Sequence, residues 1–187
     1  MEPAAPPPAS PPSLQQRCAA IDLLVLDVDG VLTAGGIVYA DNGVELKTFH
    51  VRDGSALKIW QQASKRAAAI TGRSSPVVQV RAAELGLEPV VQGAADKLVA
   101  YRQILALTAT RPEQVAYIGD DLPDLPVLRH CGLAVAVADA CAEVRAVAHY
   151  VTRAGGGRGA VREAVELVLR CQGAWQQVVE RLREVGL

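Results

Sequence analysis

Leu23-Leu24-Val25-Leu26-Asp27-Val28-Asp29-Gly30 is the stretch that decides the fold. Four consecutive aliphatic residues leave no face for water, so Leu23 to Leu26 reads as a strand buried on both sides, the habit of a parallel sheet. Carboxylates placed where such a strand stops lie at the carboxyl edge of the sheet, where open α/β folds bind their ligands. Asp27 and Asp29 repel each other unless a cation or a shared proton holds them. The pair therefore points to metal-assisted phosphoryl transfer, with one carboxylate as nucleophile and the other handling protons.

Outward from this stretch, apolar runs alternate with amphipathic ones, the rhythm of a parallel sheet with flanking helices. Strands are expected at 22–28, 67–71, 88–92, 115–119, 133–137 and 149–151, and helices at 53–65, 75–86, 96–108, 122–131, 140–147 and 159–184. The last helix should break at Gly173. Asp53, Ser74 or Ser75 before Pro76, and Asp96 suit helix starts, while Gly86 and Gly132 suit left-handed stops. Residues 36–50 (GIVYADNGVELKTFH) depart from the rhythm and read as a β-hairpin turning at Asp41-Asn42-Gly43. The hairpin leaves the first strand end directly, so it must lie near the site. The expected architecture is a three-layer, Rossmann-like α/β domain over 18–187 carrying a small hairpin flap.

Composition narrows the function. The chain has 187 residues, half of them hydrophobic, enough for one domain with a sizeable core. Its net charge of -1 and its few aromatics (one Phe, two Trp, four Tyr) argue against nucleic acid as a partner. The cysteines Cys18, Cys131, Cys141 and Cys171 show no metal-binding spacing and read as reduced thiols of an intracellular protein. Six of the eleven prolines fall within residues 1–13. With no basic or apolar leader pattern there, residues 1–17 read as a disordered Pro/Ala-rich tail rather than a secretory signal. No later run is apolar enough to span a bilayer, and a cytoplasmic location without membrane partners is expected.

Three further signals stand at later strand ends. Thr71 closes the run Ala67 to Ile70, Lys97 opens the helix after 88–92, and Asp120, Asp121 and Asp124 follow Val115 to Gly119 in GDDLPD. A parallel sheet brings all of them to one edge. A nucleophilic carboxylate, a hydroxyl and an ammonium for phosphoryl oxygens, and spare carboxylates for a divalent cation make a complete phosphoryl-transfer set.

The strings DVDGVLT, ITGR, DK and GDDLPD resemble the motifs of the haloacid dehalogenase superfamily over residues 20–173. GGIVYADNGVELKTFHVRDG, QGAADKL, AYIGDDLPDLPVL and YVTRAGGGRGAVRE carry the likeness further, to the capless phosphatases of 3-deoxy-D-manno-octulosonate 8-phosphate (Kdo 8-phosphate) in lipopolysaccharide synthesis. The resemblance implies that Asp27 attacks phosphorus and becomes an aspartyl phosphate. Asp29 then protonates the departing alkoxide and later takes a proton from the hydrolytic water. It implies Mg²⁺ held by the Asp27 carboxylate, the Asp29 backbone carbonyl and Asp120. Asp121 and Asp124 either orient metal-bound water or, for Asp124, cap the helix beginning near Leu122. Thr71 would bond a phosphoryl oxygen and Lys97 would neutralise charge.

About 40 residues separate Asp29 from Thr71 and about 25 separate Thr71 from Lys97, too few for a cap domain. A neighbouring subunit is the expected cover, and the resemblance implies a homotetramer built around the hairpins. Arg73 and Arg81 are candidates for the sugar acid's carboxylate and hydroxyls, Arg81 either reaching in from the next subunit or lying on a solvated helix face. Relatives acting on nine-carbon 9-phosphates tend to have Glu where Arg73 stands, so Arg73 favours the eight-carbon substrate. The Gly155–Gly159 run reads as a flexible connection. The rival readings are a phosphatase of a nine-carbon ulosonate 9-phosphate, a receiver-like signalling domain and a non-catalytic oligomerisation module. Receivers lack DxDG at the end of the first strand.

Overall fold

A computed structural model of the chain describes residues 12–184. Most of the tail expected over 1–17 lies outside the described residues. Its end does not: α1 (Leu14–Ala19) is helical, started by a capping box between Ser13 and Gln16 and anchored by buried Cys18. A run read only for its prolines hides this start, because the prolines stop at Pro12.

Six parallel strands form the sheet in the order β5-β4-β1-β6-β7-β8. They are β1 (Leu23–Leu26), β4 (Arg66–Ile70), β5 (Val90–Val91), β6 (Val115–Gly119), β7 (Leu133–Ala136) and β8 (Tyr150–Val151). The expected α/β class holds. β1 lies between β4 and β6, and its four side chains are all buried. Removing each such aliphatic side chain from water stabilises the fold by roughly 1.5–3 kcal/mol. The chain runs from β1 outward to β5, then returns beyond β1 to β6. This reversal puts a crevice at the carboxyl end of β1. Right-handed crossovers assign the helices of the two directions to opposite faces. On one, α2 (Val51–Gln62) packs on α7 (Ala160–Cys171), which also meets α1. On the other, α4 (Lys97–Thr108), α5 (Leu125–Leu128) and α6 (Ala142–Val147) pack in succession.

The hairpin joins β2 (Val38–Tyr39) to antiparallel β3 (Glu45–Leu46). Its turn is closed by Gly43 N–H donating to Ala40 O at 2.8 Å and by Asn42 Oδ1 accepting from Val44 N at 3.1 Å. α3 (Pro76–Leu85) ends on Gly86 in the left-handed region, as expected, and Asp96 caps α4 through the N–H groups of Leu98 and Val99. The long C-terminal helix does break, with Gly173 at φ +71° between α7 and α8 (Trp175–Glu184).

Three expectations need correction. The helix expected over 122–131 shrinks to a 3-10 turn (Leu122–Asp124) and the four residues of α5, because Pro123 and Pro126 each remove a backbone donor. Gly132 is not among the residues of positive φ; its role is close packing, since a Cβ there would sit 2.2 Å from the Glu113 carbonyl oxygen. Asp53 does not start α2, which begins after His50. Its buried carboxylate instead reaches the start of α7, accepting from Gly159 N at 3.1 Å and Arg162 N at 2.9 Å. It is an N-cap supplied from another helix. Burial raises its pKa despite those backbone bonds.

Asp53→Ala should therefore destabilise the protein by about 1–3 kcal/mol in urea melts, the cost of stranding two buried donors. Asp53→Asn, which keeps an acceptor, should lose less. A stability for Asp53→Ala equal to the native chain's would refute this cap.

Candidate active site

The turn that follows β1 is built around one carbonyl. Val28 O accepts from Leu32 N and Thr33 N, both at 3.0 Å, which folds residues 28–33 into a tight loop. Gly30, at φ +98°, is required twice over: by its backbone, and because a Cβ there would lie 2.0 Å from Asp120 Oδ2. The glycine run after β8 braces this loop from outside. A Cβ on Gly156 would meet the Gly30 carbonyl oxygen at 1.7 Å, and Gly157 N–H donates to Val31 O at 2.8 Å. The run expected to be a flexible connection is a packed support.

At the carboxyl edge the expected residues converge. Asp27, Asp29, Thr71, Arg73, Lys97, Asp120 and Asp121 all line one cleft of about 560 Å³. Lys97, the first residue of α4, is buried with its ammonium 2.9 Å from Asp27 Oδ1 and 2.7 Å from Asp124 Oδ1. Asp124, fully buried, spends both oxygens on structure. Oδ1 also accepts from Tyr117 Oη at 2.6 Å, and Oδ2 accepts from Asp120 N at 3.0 Å and Asp121 N at 3.3 Å. Asp121 is exposed and starts the 3-10 turn beside it.

The charges do not balance by themselves. Burial and the neighbouring Asp124 push the Asp27 carboxyl up to about 8, against the pull of Lys97. Burial and Asp124 likewise raise Asp120 to about 6. Burial works against the Lys97 ammonium, yet Asp27 and Asp124 outweigh it and raise its pKa. Oxygens of Asp27, Asp120 and Asp124 lie within 4.8 Å of one another, and Asp120 Oδ1 is buried with no hydrogen-bond partner. Carboxylates this crowded, one of them with an idle oxygen, fit a hard divalent cation such as Mg²⁺. Because Asp124 is already saturated, Asp27 and Asp120 are the side chains able to hold it.

Across the cleft, Asp29 is half-buried. Thr71 Oγ1, itself accepting from Arg73 N at 3.2 Å, lies 3.4 Å from Asp29 Oδ2. The hairpin supplies residues that pattern reading missed. Lys47 forms an ion pair with Asp29 Oδ1, and Glu45 accepts from Arg73 Nη2 at 3.0 Å. Tyr39 Oη stands 3.1 Å from the same Arg73 nitrogen. The available signal was the alternation in GVELKTF, which puts Glu45 and Lys47 on one face. The nearby Ser75 hydroxyl above all, then Arg73 and Lys47, holds the Glu45 carboxyl down at about 2. Arg81 lies outside this cleft. It pairs with Glu84 at 3.0 Å, stacks near the Phe49 ring and fills the space that a side chain at Gly54 would need.

Known proteins resemble this chain in sequence and fold. Residues 61–161 match the model of the haloacid dehalogenase-like hydrolases. The chain is 51% identical over 157 residues to the 3-deoxy-D-manno-octulosonate 8-phosphate phosphatase KdsC of Yersinia pestis, covering 84% of each. It is 50% identical to the enzyme of the same name from Escherichia coli K12, over 82% of this chain and 81% of that one. Among solved structures, the Moraxella catarrhalis phosphatase of that name, in complex with magnesium, phosphate and KDO, superposes with a TM-score of 0.87 at 41% identity, covering 90% of this chain and 97% of that one. A parallel sheet with paired aspartates at the end of β1, and this extent of shared sequence, make the chain a member of the haloacid dehalogenase-like hydrolase family, on its Kdo 8-phosphate phosphatase branch.

Proposed function

We infer that this protein is a Mg²⁺-dependent phosphatase that hydrolyses Kdo 8-phosphate to Kdo and inorganic phosphate, a step of lipopolysaccharide biosynthesis. The observation that carries the reading is the buried Asp27 carboxylate, clamped by Lys97 and flanked by the unpartnered Asp120 oxygen, in a cleft that also holds Thr71. Similarity to phosphatases of that substrate supplies its identity.

In this reading Asp27 attacks phosphorus in line, and an aspartyl phosphate forms as the bond to the sugar oxygen breaks. Asp29 gives its proton to that oxygen and recovers one from the water that hydrolyses the acyl phosphate. The Thr71 hydroxyl donates to a phosphoryl oxygen. Lys97 keeps two anions, carboxylate and phosphate, from repelling each other as they meet. Asp27, the Asp29 backbone carbonyl and Asp120 hold Mg²⁺, which when bound neutralises developing phosphoryl charge. Asp124 acts at one remove by aiming Lys97 and the backbone of Asp120 and Asp121. Arg73 stands at the cleft to meet the sugar acid's carboxylate, and Arg81 serves a neighbouring subunit's cleft.

The neighbour belongs to a homotetramer in this reading. The outer surface of the hairpin and the starts of α2 and α3 expose Ile37 (54%), Val38 (53%), Leu46 (51%), Val51 (77%) and Val80 (60%), an apolar area that association would cover. Among the described residues no helix is long and apolar enough to cross a membrane, and the four cysteines are free thiols. Both agree with work in the cytoplasm.

Asp27→Asn should lower kcat at least about 1,000-fold with the fold intact, since an amide cannot take the phosphoryl group. Near-native turnover would eliminate the covalent route. EDTA should abolish phosphate release and added Mg²⁺ restore it; a screen including hexose phosphates and nine-carbon 9-phosphates should favour Kdo 8-phosphate. The double variant Val38→Asp, Leu46→Asp should run as a monomer in light scattering and lose activity on the sugar phosphate. A native chain that is monomeric and fully active would contradict the assembly.

A further inference from the structure

The hairpin turns its charges inward and its hydrocarbon outward. Tyr39 lies across from Glu45 on one face, Val38 across from Leu46 on the other. Val38, Val44 and Leu46 are about half exposed, whereas the Lys47 side chain is 1% exposed. Burying an ammonium is unfavourable unless carboxylates meet it, and two do: Asp29 through Oδ1, and Glu45 at 3.3 Å. Glu45 is bonded in turn to Arg73, so Lys47 links the proton-handling carboxyl to the wall of the cleft.

We propose that Lys47 is a positioning residue for Asp29, acting from the flap to hold one carboxyl oxygen and aim the other at the phosphoryl site. An ammonium donates and cannot accept, so the Oδ1 it holds must serve as acceptor. Oδ2 is thereby turned toward the phosphoryl site, where it accepts from Thr71 Oγ1 at 3.4 Å. The inference rests on the phosphatase reading above. When the P–O bond to the leaving group breaks and the bond from Asp27 to phosphorus forms, the Oδ2 proton passes to the departing oxygen. Without Lys47 the carboxyl is free to turn, and misplacement of a reacting group by about 1 Å lowers rates on the order of 100-fold.

A proton donor matters most for a basic leaving group: p-nitrophenolate departs with little help, a sugar alkoxide does not. Lys47→Met should therefore lower kcat/KM about 100-fold for Kdo 8-phosphate and less than about fivefold for p-nitrophenyl phosphate. Across a series of aryl phosphates, the fall of log kcat/KM with leaving-group pKa should steepen. Lys47→Arg, which keeps a donor, should restore the shallower native slope. Melting curves and light scattering establish that each variant is folded and assembled. A loss uniform across the series would assign Lys47 to holding the flap alone, and undiminished kcat/KM would leave it no role; either overturns the proposal. Should Lys47→Met fail to fold, Glu45→Ala carries the test: removing the lysine's second anchor should steepen the slope in weaker form, and an unchanged slope refutes the proposal. A native protein without Mg²⁺-dependent phosphatase activity would instead bring down the functional reading together with this inference.

Discussion

The buried ammonium of Lys97 is the contact on which the rest of the site depends. It sits within 3 Å of carboxylates from two different strand ends, Asp27 after β1 and Asp124 after β6. Removing one partner from such a set leaves a buried charge uncompensated, so the two strand ends and the start of α4 are tied to a single geometry. The set is also deliberately short of positive charge. Asp27, Asp120 and Asp124, if all ionised, outnumber Lys97 by two, the charge of one divalent cation. Burial and the charge of Asp124 raise the carboxyls of both Asp27 and Asp120, in keeping with that shortfall.

Around this centre the fold uses close approach where a larger protein would use more chain. Gly30 admits Asp120, Gly156 lies on the Gly30 carbonyl, and a Cβ on Gly119 would lie 2.7 Å from the Asp124 side chain. Small residues let three loops from β1, β6 and β8 pack within contact distance, so the two aspartates after β1 are held by neighbours as well as by their own strand. The hairpin completes the cleft from the other side with polar residues turned in. Its hydrocarbon face is left for other surfaces, which is where the proposed assembly takes its area.

Much of this was legible beforehand. The run Leu23 to Leu26 announced a strand without a wet face; Asp27, Thr71 and Asp120 each stand at the end of an apolar run, and Lys97 opens the helix after another. Their convergence followed once the sheet was parallel. Less legible was any residue whose partner is distant in sequence. Asp53 looked like the start of its own helix and instead caps one that begins at Ala160. Gly132 looked like a helix stop and is a packing contact with Glu113. Asp124 was left between water orientation and helix capping, whereas it organises Lys97, Tyr117 and two backbone N–H groups.

The amino-acid sequence by itself determined the parallel α/β sheet, the hairpin and the edge on which the acidic, hydroxyl and ammonium groups gather. Hydrophobic period and strand-end position are local properties, and a strand without a polar face has one place to go. Only the tertiary structure decided that Lys47 turns inward onto Asp29, that Arg73 is held by Glu45 and Tyr39, and that Arg81 lies outside the cleft. Those outcomes depend on how far apart packed elements finally lie. A charged side chain on a short hairpin can face either way until the carboxylate that offsets its burial is in place.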